Sequence, residues 1–142
     1  MRIWFKEFSV QQLNERGKNT MSDFLDIQFT EVGDNYMSAT MPVNERTKQP
    51  IGILHGGANV VLAETIASTA ANAVVDLSHF YCVGLEINAN HIRSVREGLV
   101  KATTSPLHLG RSTQVWEIKI LDEAGKITCI SRMTASVIAR AS

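Results

Sequence analysis

Residues His55–Asp76 read HGGANVVLAETIASTAANAVVD, and the reading of this stretch decides the fold. It holds no proline and is rich in Ala, Val and Leu. At helical rise it is roughly 33 Å long, about the width of a small domain. Its apolar residues fall almost all the way round a 3.6-residue period, which predicts a buried helix rather than a surface one. The polar residues inside it, Asn59, Glu64, Thr65, Ser68, Thr69 and Asn72, therefore each need a physical reason.

Upstream, Ser9–Gly17 predicts a short helix, with Ser9 as cap, Val10 and Leu13 as apolar stripe and Gly17 as stop. A further turn starting at Thr20 carries Met21, Phe24 and Leu25. Ile27–Val32 and Tyr36–Val43 flank Gly33-Asp34-Asn35, the pattern of a β-hairpin. Pro42, Pro50 and the polar run Asn44–Gln49 read as a loop. Downstream, Tyr81–Ile92, Leu99–Thr104, Ser112–Leu121 and Lys126–Ile138 read as strands, the last pairs divided by turns at Arg96-Glu97-Gly98 and Asp122–Gly125. The order is α, ββ, long α, ββββ. It predicts a single α+β domain over residues 1–142, with an antiparallel sheet of five to six strands curled around one long central helix.

Composition narrows the functions. In 142 residues, 14 Lys+Arg balance 14 Asp+Glu, which argues against a generally basic nucleic-acid binder. An apolar share of 44% argues against a disordered chain. No apolar run approaches a membrane span, and MRIWFKEF has no signal-peptide pattern, so a soluble, cytoplasmic protein is expected. Cys82 and Cys129 sit far apart in apolar alternating segments and read as small buried hydrophobes. His55, His79, His91 and His108 share no metal-ligand spacing, so no metal is expected. No phosphate-binding loop, dinucleotide fingerprint or nucleophile elbow is present.

Two features carry chemistry. Gly56 and Gly57 open the long helix, where the first N–H groups lack intrahelical acceptors and face the positive end of the dipole. Such a place suits a carbonyl oxygen gaining negative charge; tight packing of a loop at a helix start explains the glycines equally well. Glu64 lies inside the apolar helix, where an unpaired carboxylate costs several kcal/mol. It fits a general base or a nucleophile toward an acyl carbon, with Ser68 one turn on to orient it or a water. A partly solvated glutamate on an incompletely covered helix is the other reading.

The segments LHGGANVVLAETIAS, VGLEINANHIRSVREG and PLHLGRSTQVWEIKILDEAGKITCISRMT resemble the hotdog-fold acyl-CoA thioesterases, in the branch typified by 1,4-dihydroxy-2-naphthoyl-CoA hydrolase of menaquinone biosynthesis. The resemblance covers roughly residues 22–139 and rests on HGG followed by Glu64 and Ser68, and on the GLEINAN-H-x-R-S run. It implies a hotdog fold and hydrolysis of an aromatic acyl-CoA, such as a dihydroxynaphthoyl, benzoyl or phenylacetyl thioester, to free acid and CoA. It implies Glu64 as the carboxylate, the Gly56 N–H as oxyanion donor, and Gln49, His55 and Ser68 as helpers. Substrate and CoA contacts are implied at Gly84, at His91, Ile92, Arg93 and Ser94, and at His108, Leu109, Gly110, Arg111, Ser112 and Thr113. No cofactor is implied beyond the coenzyme A of the substrate.

Gly56 and Glu64 stand eight residues apart, about 12 Å along a helix. One helix cannot present both to a single carbonyl, so a homodimer with shared sites is expected, commonly a dimer of dimers in the family. A non-hydrolytic acyl-CoA or acyl-carrier binding module and a hotdog hydratase or dehydratase are the competing functions. The presence of Glu64 argues against the first, and the HGG, Glu, Ser arrangement against the second.

Overall fold

The computed structural model describes residues 1–142. Its elements are α1 (Val10–Arg16), α2 (Met21–Phe24), β1 (Gln28–Val32), β2 (Met37–Pro42), α3 (Gly56–Val74), β3 (Phe80–His91), β4 (Leu99–Leu109), β5 (Thr113–Leu121) and β6 (Ile127–Ala139). Six strands form one antiparallel sheet in the order β1-β2-β4-β5-β6-β3. Helix α3 packs against five of them, β2 to β6, so the sheet wraps the helix as expected. Ala63, Ala67, Ala70 and Ala71 are fully buried along α3 with Leu62 and Ile66; their small side chains let strands approach the helix closely. Alternation in β5 sends Gln114, Trp116, Ile118 and Ile120 into the same core.

Helix α3 is not covered all round. Its sheet-facing side is buried, whereas Val60, Val61, Glu64, Thr65 and Ser68 are only half-buried. The apolar pattern thus marks two faces, of which this chain covers one. Helix α3 also stops at Val74, because Val75 is already extended.

Strand β4 runs past the expected end at Thr104 to Leu109. Pro106 sits opposite Trp116, and the register shifts between Pro106 and His108. A bulge there accommodates a residue that cannot donate to the ladder. His108 and Leu109 therefore belong to the strand, and the turn that follows is only Gly110–Ser112.

The first residues form a strap that closes the far end of the fold. Trp4 is buried, stacks on Trp116 at 6.4 Å between ring centroids, and donates its indole N–H to the Gly33 carbonyl at 2.7 Å. The Phe5 N–H reaches the Ala73 carbonyl at the end of α3. No helix is long and apolar enough to cross a membrane.

Candidate active site

The start of α3 is a set of satisfied N–H groups around one free donor. His55 caps the helix, its Nδ1 accepting from the Gly57 N–H at 2.8 Å. A ring nitrogen that accepts carries no proton, so this cap calls for the His55 ring proton on Nε2. The His55 carbonyl accepts from Ala58 and Asn59. The Gly56 N–H has no acceptor within the chain, as an oxyanion donor requires.

The preceding loop is held by Gln49. Its Oε1 accepts from the Ile51 N–H at 2.7 Å, its N–H donates to the Ile53 carbonyl, and its carbonyl closes a turn with Gly52. Gly52 has φ +84°, open to glycine at little cost. With Oε1 engaged, the Gln49 amide nitrogen remains as a donor. The Leu54 N–H reaches the Val95 carbonyl and ties the helix start to the segment after β3. The result is a cavity of about 320 Å³, with Gln49, Gly56, Asn59, His91, Arg93 and Ser94 in its wall. The space that a side chain at Gly56 would fill is taken by the His91 ring: a Cβ there would lie 2.8 Å from His91 Nε2.

Glu64 lines a different hollow, of about 360 Å³, formed by the open face of α3 (Val60, Val61, Thr65, Ser68) and Met21 of α2. The carboxylate rests over Gly84 of β3, where a Cβ would come 2.6 Å from Oε2. The β3 register shifts between Gly84 and Glu86, a bulge that re-aims the strand at this point. The close approach expected at Gly84 is thus made, within the chain, by Glu64 itself. The Ser68 hydroxyl turns to Met133 Sδ at 3.5 Å and makes no hydrogen bond to Glu64. Half exposure spares Glu64 the several kcal/mol that full burial of an unpaired carboxylate would cost.

The two segments expected to hold coenzyme A are not brought together. His91 pairs with Cys129, at the β5–β6 turn end of the sheet. Thr113 pairs with Ser136 seven residues along β6, which is about 23 Å away. His91–Ser94 therefore sits beside Gly56, and the His108–Thr113 hairpin lies at the opposite end. Gly110 closes that hairpin by donating to the Thr113 carbonyl at 2.9 Å, and the Arg111 side chain is exposed. Neither cysteine competes as a nucleophile: burial pushes the Cys82 thiol up to about 11 and raises Cys129 as well.

The thioesterase superfamily profile matches residues 51–129. The 1,4-dihydroxy-2-naphthoyl-CoA hydrolase of Escherichia coli is 51% identical over 136 residues, 96% of this chain and 99% of that protein. The chain belongs to the thioesterase superfamily. This thioesterase is also 44% identical over 137 residues to the proofreading thioesterase EntH of Cronobacter turicensis, 96% of this chain and 98% of that one. Its fold matches a crystal structure of a mutant of thioesterase PA1618 from Pseudomonas aeruginosa, with TM-score 0.96 and 46% identity over 97% of this chain and 99% of that chain. It is a thioester hydrolase with a hotdog fold. Among the wall residues that the sequence left without a role are Asn59 and Met21. Asn59 carried a signal, a polar side chain in an apolar helix one turn from Gly56; Met21 carried none.

Proposed function

We propose that the thioesterase hydrolyses an aromatic acyl-CoA to the free acid and coenzyme A at a site shared by two protomers. The observation that carries this reading is the separation of the chemical groups into two half-sites. One half holds the free Gly56 N–H, Gln49, His55 and His91–Ser94. The other holds Glu64 and Ser68, and the His108–Thr113 hairpin lies across the sheet from Gly84, on the line Gly84, Ala135, Gln114 and Leu109. Strand β3 supports a two-fold arrangement. It has twelve residues, ends the sheet order and pairs only with β6, and a free edge of that length is a ready template for a second chain. Antiparallel pairing of two β3 strands sets each half-site against the other half of its partner.

At such a site the carbonyl oxygen of the thioester lies on the Gly56 N–H, and Gln49 supplies a further donor. Glu64 of the partner subunit either attacks the carbonyl carbon, giving an anhydride that water then hydrolyses to the free acid and the free carboxylate, or takes a proton from a water that attacks directly. The C–S bond breaks, coenzyme A leaves as a thiolate that takes up a proton, and one water is consumed overall. Arg93 and Arg111, facing the substrate from the two half-sites, hold its phosphates.

The naming of a relative as a 1,4-dihydroxy-2-naphthoyl-CoA hydrolase supports an aromatic acyl group. The test is a panel of dihydroxynaphthoyl-, benzoyl-, phenylacetyl- and straight-chain acyl-CoA, plus a carrier-protein thioester, followed by release of free thiol. The highest kcat/KM is expected for an aromatic acyl-CoA. Preference for straight chains, or for the carrier-protein thioester, contradicts the substrate assignment.

A further inference from the structure

Asn59 is the buried polar group that the reading above leaves unused. It is 4% exposed, in the first turns of α3. Its Nδ2 meets His91 Nδ1 at 3.3 Å, and its Oδ1 is buried with no hydrogen-bond partner. For folding alone this is a poor choice. An unpaired buried carbonyl is costly, and alanine is the better helix former. What the amide obtains is a single bond to a ring whose other edge lies against Gly56.

We infer that Asn59 is a positioning residue: by donating to His91 Nδ1, it keeps the His91 ring proton on Nε2, as a further donor beside the Gly56 N–H and Gln49 for the thioester oxygen. An Nδ1 that accepts leaves the proton on Nε2, and Nε2 is the ring atom nearest the space beside Gly56. Preorganised donors suit an oxygen that gains charge only during the reaction. The glycine at position 56 then serves both donors, since any side chain there would push the ring away. This inference rests on the catalytic reading of Gly56 and Glu64.

The experiment compares steady-state kinetics with the fastest thioester of the panel, together with imidazole ¹⁵N spectra of the protein at neutral pH. In the parent, the His91 ring shows the Nε2–H tautomer. Asn59→Ala lowers kcat about tenfold, as loss of an orienting partner does, with KM within about twofold and no drop in melting temperature. Asn59→Asp, nearly isosteric, accepts instead of donating; it shifts the proton to Nδ1 and loses kcat as Asn59→Ala does. His91→Ala costs roughly 100-fold in kcat, and adding Asn59→Ala to it costs nothing more. An Nδ1–H tautomer in the parent overturns the inference. So does a loss confined to KM, or an Asn59→Ala effect that persists without His91. Failure of the underlying reading shows separately, as a Glu64→Ala enzyme that keeps its rate.

Discussion

The start and the middle of α3 solve different problems. The Gly56 end is made of backbone: the His55 cap and the Gln49 turn engage the N–H groups of Ile51, Gly52 and Gly57 and leave the Gly56 N–H free in the wall of a cavity. The Glu64 region is a single side chain on an open helix face, held over a strand position that has no side chain of its own. The first is rigid because loop hydrogen bonds define it. The second depends on what covers the face. On the proposed reading, one helix carries two halves of catalytic sites that serve different substrates, and another copy of the chain supplies the missing cover.

The comparison breaks most sharply at Glu64. Glu64→Ala removes the reacting group and should lower kcat roughly 10³-fold or more, with the fold intact. Thiol-release kinetics and thermal melting check this together, and a variant retaining about a tenth of the rate removes Glu64 from the mechanism.

Gly84→Ala tests the support beneath the carboxylate. The added methyl would lie 2.6 Å from Oε2, so Glu64 must swing away. A misplacement of about 1 Å costs on the order of 100-fold in rate. The added methyl lies outside the chain's own core, so the melting temperature should stay nearly unchanged. An unaltered kcat would mean that the carboxylate acts from another position.

The arginines should give the smallest effects. Arg93→Ala and Arg111→Ala, one in each half-site, are each expected to raise KM several-fold with little change in kcat. Replacing the substrate by its dephospho-CoA analogue should blunt one of the two effects. Unchanged KM in both variants would return these residues to ordinary solvated surface.

Much of this was legible in the sequence, for identifiable reasons. The six strands and the long helix follow from alternation, Gly turns and an uninterrupted apolar run. The chemical weight of Gly56 and Glu64 follows from residue type and spacing. Three things were hidden. The apolar pattern of α3 does not say whether its second face is covered by the same chain or by another. The distance between His91–Ser94 and His108–Thr113 is a property of strand order and register, which no local pattern encodes. Trp4 lies in a short segment without periodicity, and its stacking partner Trp116 is on the fifth strand.

The central claim, that each site draws Gly56 from one protomer and Glu64 from its partner, has a direct measurement. Glu64→Ala removes the carboxylate. Gly56→Pro removes the N–H at a first-turn position where proline is tolerated by the helix, and its ring also displaces His91. Each variant alone should be inactive. Co-refolded in equal amounts, half of the dimers are hybrids holding one site with both groups intact and one with neither. Thiol release should then return to about a quarter of the parent rate, as random two-fold pairing requires. If hybrid dimers form, both variants are folded and the mixture stays inactive, the two half-sites do not meet across the interface and the shared-site account is wrong.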